Sequence, residues 1–252
     1  YVQDKFAVED LIFNIGLRVD RYDANQKVLK DQHLLYTAHT VSANTPLISQ
    51  TDIPSTIGQN YVVYVDDIND PSTIVGYRNN LDDTWYNSAG LEISDPNLLA
   101  EEAGGKIAPY LDKAGRDALG AGLVSMDAFE DYEPEVVFMP RIAFSFPISD
   151  EAQFFAHYDV LTQRPPGGNR LEPLDYLFMA DRVGATLNNP NLKPEKTVDY
   201  ELGFAKTLSL KSALKISAFY KELRDMIQVT NVLQAYPAQY YTYGNIDFGT
   251  VK

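Results

Sequence analysis

The chain reads as all-β: a segment of an antiparallel transmembrane β-barrel with long extracellular loops that contain short helices. Three observations lead there. Stretches of roughly ten residues alternate strictly between apolar and polar side chains. In Thr197–Phe204, for example, Val198, Tyr200, Leu202 and Phe204 are apolar, while Thr197, Asp199, Glu201 and Gly203 are not. The connections between these stretches run short, very long, short, long, short, medium, as in barrels with tight turns at one end and loops at the other. Aromatic residues also gather near strand ends, at Tyr1, Tyr22, Phe154, Phe204 and Tyr220, where a membrane-interface girdle needs them. A β-sandwich whose core takes up these aromatics is the alternative that the pattern leaves open.

Tyr1–Val8 can form a short strand, and Glu9-Asp10 a tight polar turn. In LIFNIGLRVDRYD, Leu11, Phe13, Ile15, Leu17 and Val19 share one face, and Asn14, Gly16, Arg18 and Asp20 the other. That length suits a tilted membrane strand. From Ala24 to Glu135 the alternation breaks up among Pro, Gly, Asn, Asp and Ser. Within this stretch, YVVYV at 61–65 predicts a strand. Asp95-Pro96-Asn97 opens a short helix through Ala103, and Ala108–Leu119 can hold another with Pro109 near its first turn. An insertion of this length is usually functional.

VFMPRIAFSFPI then places Phe138, Ile142, Phe144, Phe146 and Ile148 on one face, although Pro140 and Pro147 argue against a central strand. After a polar turn at Ser149–Ala152, Phe154, Ala156, Tyr158 and Val160 alternate with Phe155, His157, Asp159 and Leu161. Residues 164–196 form a second long connection with a helical turn at Pro173–Arg182. Strands follow at Thr197–Thr207 and Ser212–Thr230, joined by the turn Leu208–Lys211, and a last strand starts near Tyr240. In a barrel, the three short turns would be periplasmic, and the loops 24–135 and 164–196 would lie outside the cell. Phe13, Ile15, Leu17, Tyr200, Leu202, Leu214 and Ile216 would face lipid, while Arg18, Arg141, His157, Asp159 and Glu201 would line the lumen.

Composition narrows the function classes. With 252 residues, 45% of them hydrophobic, the chain has no run near the ~18–20 apolar residues of a membrane helix. A net charge of −14 argues against a nucleic-acid partner, which needs clustered Lys and Arg. The absence of cysteine removes disulfides, thiolate metal sites and cysteine nucleophiles. His33 and His39 lack helical metal spacing, and no metal or other cofactor is expected. Asp66-Asp67-Ile68-Asn69-Asp70 fails the calcium-loop template at Ile68 or Pro71 and reads as a solvated turn. Gly167-Gly168 follows two prolines and is no phosphate loop, and no G-x-S-x-G occurs. The acidic run Glu130, Asp131, Glu133 and Glu135 carries no sign of the separation that glycoside hydrolysis needs, so no enzyme is expected. The 17 tyrosines suit either an interfacial girdle or a glycan-binding sandwich. In the first long loop, Tyr77, Arg78, Trp85 and Tyr86 form the candidate ligand-binding surface, since such mixtures stack on glycans or peptides.

Several stretches carry a family resemblance. NPNLKPEKTVDYELGF resembles the entry to a late barrel strand in TonB-dependent outer-membrane receptors. YVQDKF with LIFNIGLRVDRYDAN resembles an earlier strand pair of that family, in its Bacteroidetes form with very long loops. PRIAFSFPIS with FFAHYDVLTQRPP, LKISAFYKELRDMIQV and YGNIDFGTVK resemble later ones. The resemblance implies about seven strands of a larger barrel, in the outer membrane of a Gram-negative bacterium, active in nutrient uptake. It implies outer-membrane lipid around the barrel, the TonB complex acting through a plug domain outside this chain, and a SusD-like surface lipoprotein as partner. The substrate is unknown. A structural or interaction subunit of a larger outer-membrane complex, and a secreted glycan-binding β-sandwich, are the alternatives. The chain opens and closes inside patterned strands, which predicts an internal segment of a longer polypeptide.

Overall fold

The computed structural model describes residues 1–105, 107–167, 169–182, 184–247 and 249–251. Gly168 of the glycine pair, and Phe248 and Lys252 of the last resembling stretch, lie outside them. The chain begins with β1 (Val2–Val8), β2 (Leu11–Tyr22) and β3 (Lys27–Leu29), then α1 (Pro46–Gln50), β4 (Val62–Val65), β5 (Ile74–Arg78), β6 (Trp85–Asn87) and β7 (Glu92–Ile93). It continues with α2 (Asn97–Glu102), β8 (Ala108–Pro109), α3 (Lys113–Ala121) and β9 (Phe129–Asp131). Then come β10 (Glu135–Ser149), β11 (Ala152–Gln163), a 3₁₀ helix at Pro173–Asp181, β12 (Thr186–Leu187), β13 (Glu195–Ser209) and β14 (Ser212–Arg224). The last elements are β15 (Met226–Val232), β16 (Tyr240–Ile246) and β17 (Gly249–Val251).

Two bodies result. The first is a wall: one antiparallel sheet in the order β1-β2-β10-β11-β13-β14-β17. Directly opposed residues share a face, so register decides what each face carries. Ile15, Ile142, Tyr158, Tyr200 and Tyr220 lie in one row, and Phe13, Phe144, Ala156, Leu202 and Ala218 in the next. Phe6, Phe13, Phe144 and Phe154 form a ladder of rings with centroids 5.3, 6.3 and 5.9 Å apart. A sandwich would cover this face with a second sheet. Here Leu202 and Ile216 remain 55% and 60% exposed. It is the barrel-type sheet the alternation predicts, open at β1 and β17.

The tight turns at 9–10, 150–151 and 210–211 sit at one end of the wall, and the connections 23–134, 164–194 and 225–248 leave from the other. Glu9 occupies the left-handed region of its turn at φ 54°. The two prolines do not displace β10 to an edge: Pro140 pairs with Leu17 inside the sheet, and Pro147 falls at a register shift before Ser149. Each proline removes only its own N–H from the ladder, and the irregularity takes up the second loss. The strand expected at Ser212–Thr230 is broken at Asp225, whose φ is 54°. There β14–β15 bends, and Asn245 Nδ2 donates to the Asp225 carbonyl at 2.7 Å.

The second body is a cap built by the three long connections. It contains a five-stranded sheet in the order β7-β6-β5-β4-β8, a three-stranded sheet β12-β16-β15, and the pair β3-β9. The helix expected at Ala108–Leu119 starts only at Lys113. Asp112 caps it, accepting from Gly115 N at 2.8 Å, while 108–109 pair as a strand with β4. One apolar core joins all three connections. Leu29, Tyr36, Leu111 and Phe129 come from the first, Leu171, Tyr176, Met179 and Leu187 from the second, and Val232, Ala235 and Tyr240 from the third. Buried side chains of this size contribute roughly 1.5–3 kcal/mol each.

Candidate functional site

The wall's polar face is the first candidate. Gly16, Arg141, Asp159, Asp199 and Lys221 oppose one another in a single row across five strands. Arg141 Nε lies 3.1 Å from Asp159 Oδ1, and Lys221 Nζ lies 2.9 Å from Asp199 Oδ2. Two like charges face each other at the centre of the row, a costly pairing unless cations flank it. The flanking Arg and Lys supply that balance. In the neighbouring row, Asn14, Ala143, His157, Glu201 and Phe219 are opposed. His157 Nδ1 is 3.6 Å from Glu201, and its Nε2 is 4.0 Å from Asp159. Arg18 forks onto Asp20 with bonds of 2.8 and 2.6 Å.

Asp159 is only 7% exposed. Asp199 Oδ1 is a buried acceptor without a hydrogen bond, whereas Asp159 Oδ1 faces Arg141 Nε across the ion pair. A buried acceptor such as Asp199 Oδ1 calls for a donor from outside. Next to these two aspartates, Gln3, Gly16, Arg18, Met139, Arg141 and Asp159 line a concavity of about 340 Å³. One row further, Phe155 opposes Gly203, and its ring lies where a Cβ on Gly203 would stand. Lys215 Nζ is 4.6 Å from the same ring centroid.

All five residues expected on the lumen side therefore share this face. Asp199, Lys221 and Phe155 share the face with them, as the alternation of their strands predicts, although they are not among the five lumen candidates. The same parity that selects Glu201 also selects Asp199, so the signal was present.

The loop aromatics are placed differently. Tyr77 and Arg78 are fully buried and Trp85 is 5% exposed, while Tyr86 is half-buried and stacks on Tyr61 at 5.4 Å. Tyr77, Arg78 and Trp85 lie in the interior of the cap, not on the stacking surface expected of them. The physical reason is Arg78. Its guanidinium reaches Asp31, bonds Asp83 at 2.6 Å and donates to the Tyr64 hydroxyl at 3.3 Å. Trp85 packs on Tyr64 with centroids 4.6 Å apart and on His33 at 5.6 Å. Burial pushes the Tyr64 hydroxyl up to about 12. Burial, reinforced by the Arg78 charge, holds His33 well below the ordinary histidine range, and its Nδ1 donates to the Leu233 carbonyl at 2.9 Å. The network therefore ties the five-stranded sheet to the third connection. Leu35 N to Tyr236 O and Tyr240 Oη to Gln32 O extend that seam at 3.1 and 2.8 Å.

The acidic turn at 66–70 caps itself. Burial opposes ionisation of Asp66, but hydrogen bonds from Ser72 and Thr73 outweigh it and hold the carboxyl down to about 2.

The whole chain, residues 1–252, matches the family model described as TonB dependent receptor-like, beta-barrel. The chain belongs to that family. Its members are outer-membrane proteins of Gram-negative bacteria. No curated protein matches the chain. Among solved structures, it is similar to a double mutant of the Serratia marcescens hemophore receptor HasR in complex with its hemophore HasA and heme. The TM-score is 0.42 and the identity 14%, over 96% of this chain and 27% of that one. The chain thus spans just over a quarter of that receptor's length. As a stretch of receptor barrel, the wall has an apolar face suited to lipid and a polar face carrying paired charges.

Proposed function

We propose that this chain is part of the barrel and outer cap of an outer-membrane receptor that takes up a nutrient through the TonB system. The observation that carries the reading is the wall itself: one face is apolar and open across six strands, and the opposite face holds charged rows. In a barrel, the first meets lipid and the second the lumen. Arg18, Arg141, His157, Asp159 and Glu201, with Asp199 and Lys221, then line the lumen. The orphaned acceptor on Asp199 suits a donor from a plug domain outside this chain, on which the TonB complex acts. The cap, at the end opposite the tight turns, lies outside the cell. Residues 24–135 and 164–196 are its two long extracellular loops, and Tyr86 is the candidate ligand contact among the four loop residues. A Bacteroidetes-type, SusC-like receptor with a SusD-like surface lipoprotein as partner is the finer form of the proposal, supported by the resemblance of the strand motifs and the size of the cap.

The test uses the full-length receptor in cells. An epitope tag in the exposed turn around Leu81 should be reached by antibody on intact cells, and uptake of the cognate nutrient should stop when the plug is deleted. A tag reached only after lysis overturns the topology. Uptake that does not depend on the plug overturns the transport reading.

A further inference from the structure

Of the nine arginines in this acidic chain, seven pair with a carboxylate, and Arg116 donates to the Leu111 carbonyl at 2.6 Å. Arg164 is the arginine left with neither an ion pair nor a side-chain hydrogen bond among the described residues. It follows directly on β11, at the loop end of the wall, and lines a cavity together with Tyr22 and Gln163. Asp20 lies within its electrostatic reach, but that carboxylate is already forked by Arg18. Arg164 borders a cavity of about 600 Å³ whose polar lining is Tyr22, Gln26, Gln163, Asn169 and Arg170. This volume is in the range of small-molecule sites. The lining contains no Asp or Glu, in a chain with 35 of them. Gln26 Oε1 is buried there without a hydrogen-bond partner, an acceptor waiting for a donor. Pro165 and Pro166 restrict the backbone just after Arg164 and keep it at the rim.

We propose that this rim pocket binds a hydroxylated carboxylate, a sugar acid or a hydroxy acid, and so fixes the substrate class. The Arg164 guanidinium takes the carboxylate through its planar fork of donors, a geometry that lysine cannot reproduce. A ligand hydroxyl donates to Gln26 Oε1, and Tyr22 offers a ring wall. Arg170, shared with Glu172 at 3.2 Å, adds charge without being the anchor. The net negative charge of the cap does not cancel this site, because exposed charges more than about 8 Å away are screened at physiological salt.

This site rests on the uptake-receptor reading, and the experiment separates the two. The full-length receptor in detergent is titrated calorimetrically with citrate and with tetragalacturonate, with maltotetraose as neutral competitor. At least one acid should bind saturably, and maltotetraose should not displace it. Arg164→Gln should weaken binding tenfold or more, and Arg170→Gln less. Heat-modifiable gel migration checks that both variants remain assembled. Absence of saturable binding by either acid overturns the proposal, as does equal affinity in Arg164→Gln or displacement by maltotetraose. If acid binding is lost to the mutation but cellular uptake proves independent of TonB, the receptor reading falls and the site stands. If uptake is TonB-dependent and neither acid binds, only the site falls.

Discussion

The wall and the cap use similar apolar residues for opposite ends. In the wall, Leu202 and Ile216 stand open on one face while Asp159 is buried on the other. In the cap, Val62, Val63, Tyr64 and Val65 of β4 are all buried, and so is Arg78. The wall is thus patterned with one open apolar face and one charged face. The cap is an ordinary water-soluble interior with one buried charge network. An aromatic residue therefore means different things in the two regions: Tyr200 belongs to an open row, whereas Tyr77 and Trp85 fill a core.

The largest effect should separate the two bodies. Arg78→Ala leaves Asp31 and Asp83 without their shared cation, and breaking one side of a buried ion network costs about 3–5 kcal/mol. Limited proteolysis should then cut the cap near residues 31–36 and 79–84, while heat-modifiable migration reports an intact wall. A cap that stays resistant would show that Arg78 is not holding the seam. Leu202→Arg is the counterpart in the wall, with an expected cost of ~2–4 kcal/mol if the position is near the membrane midplane. Denaturant-monitored folding into lipid vesicles measures it. A cost below about 1 kcal/mol would mean that this face does not meet lipid, and the contrast between wall and cap would collapse.

This contrast also explains what the sequence could show. Wall strands were legible because period-two alternation is local and survives over ten or more residues, and because tight turns such as Glu9-Asp10 punctuate it. The cap was not, since its core is assembled from distant parts. Leu29, Leu171 and Val232 touch one cluster from three separate connections, and Arg78 meets Asp31 across 47 residues. Nothing local marks Arg78 as buried, because arginine is almost always exposed unless paired. The break at Asp225 was also invisible, since aspartate tolerates a left-handed backbone without any glycine to announce it. Of the candidate site, the charged face followed from parity, but the pairing of Asp159 with Asp199 needed the register.

A smaller effect tests the packing on the charged face. Gly203 has no room for a side chain: a Cβ would collide with the Phe155 ring and stand 2.8 Å from the Ile216 carbonyl. Gly203→Val should cost about 1–3 kcal/mol by overpacking, read as a lower unfolding midpoint. Adding Phe155→Ala to that variant should recover part of the loss, because the ring is one of the two obstacles. If the double variant is simply the sum of the two single ones, the ring does not lie across the glycine as described.

The smallest effect is a pH dependence confined to the cap. His33 is buried among Arg78, Asp83 and Asp31, and its pKa lies below that of an unfolded histidine. As pH falls through the ordinary histidine range, the unfolded chain takes up a proton that the folded cap does not. Cap stability therefore falls with acidification. At pH 6 the linkage amounts to about 1 kcal/mol or less, because only the unfolded state titrates there. Hydrogen exchange at pH 7.5 and 6, corrected for intrinsic rates, should show faster opening at 31–36 and 233–240 and no change in β10 or β13. His33→Asn retains a donor that can reach the Leu233 carbonyl and cannot titrate, so it should remove the difference. An equal response in wall and cap would place the titrating group elsewhere. No response in either would mean that His33 keeps its ordinary protonation in the folded protein, and that the seam between the first and third connections does not depend on a neutral imidazole.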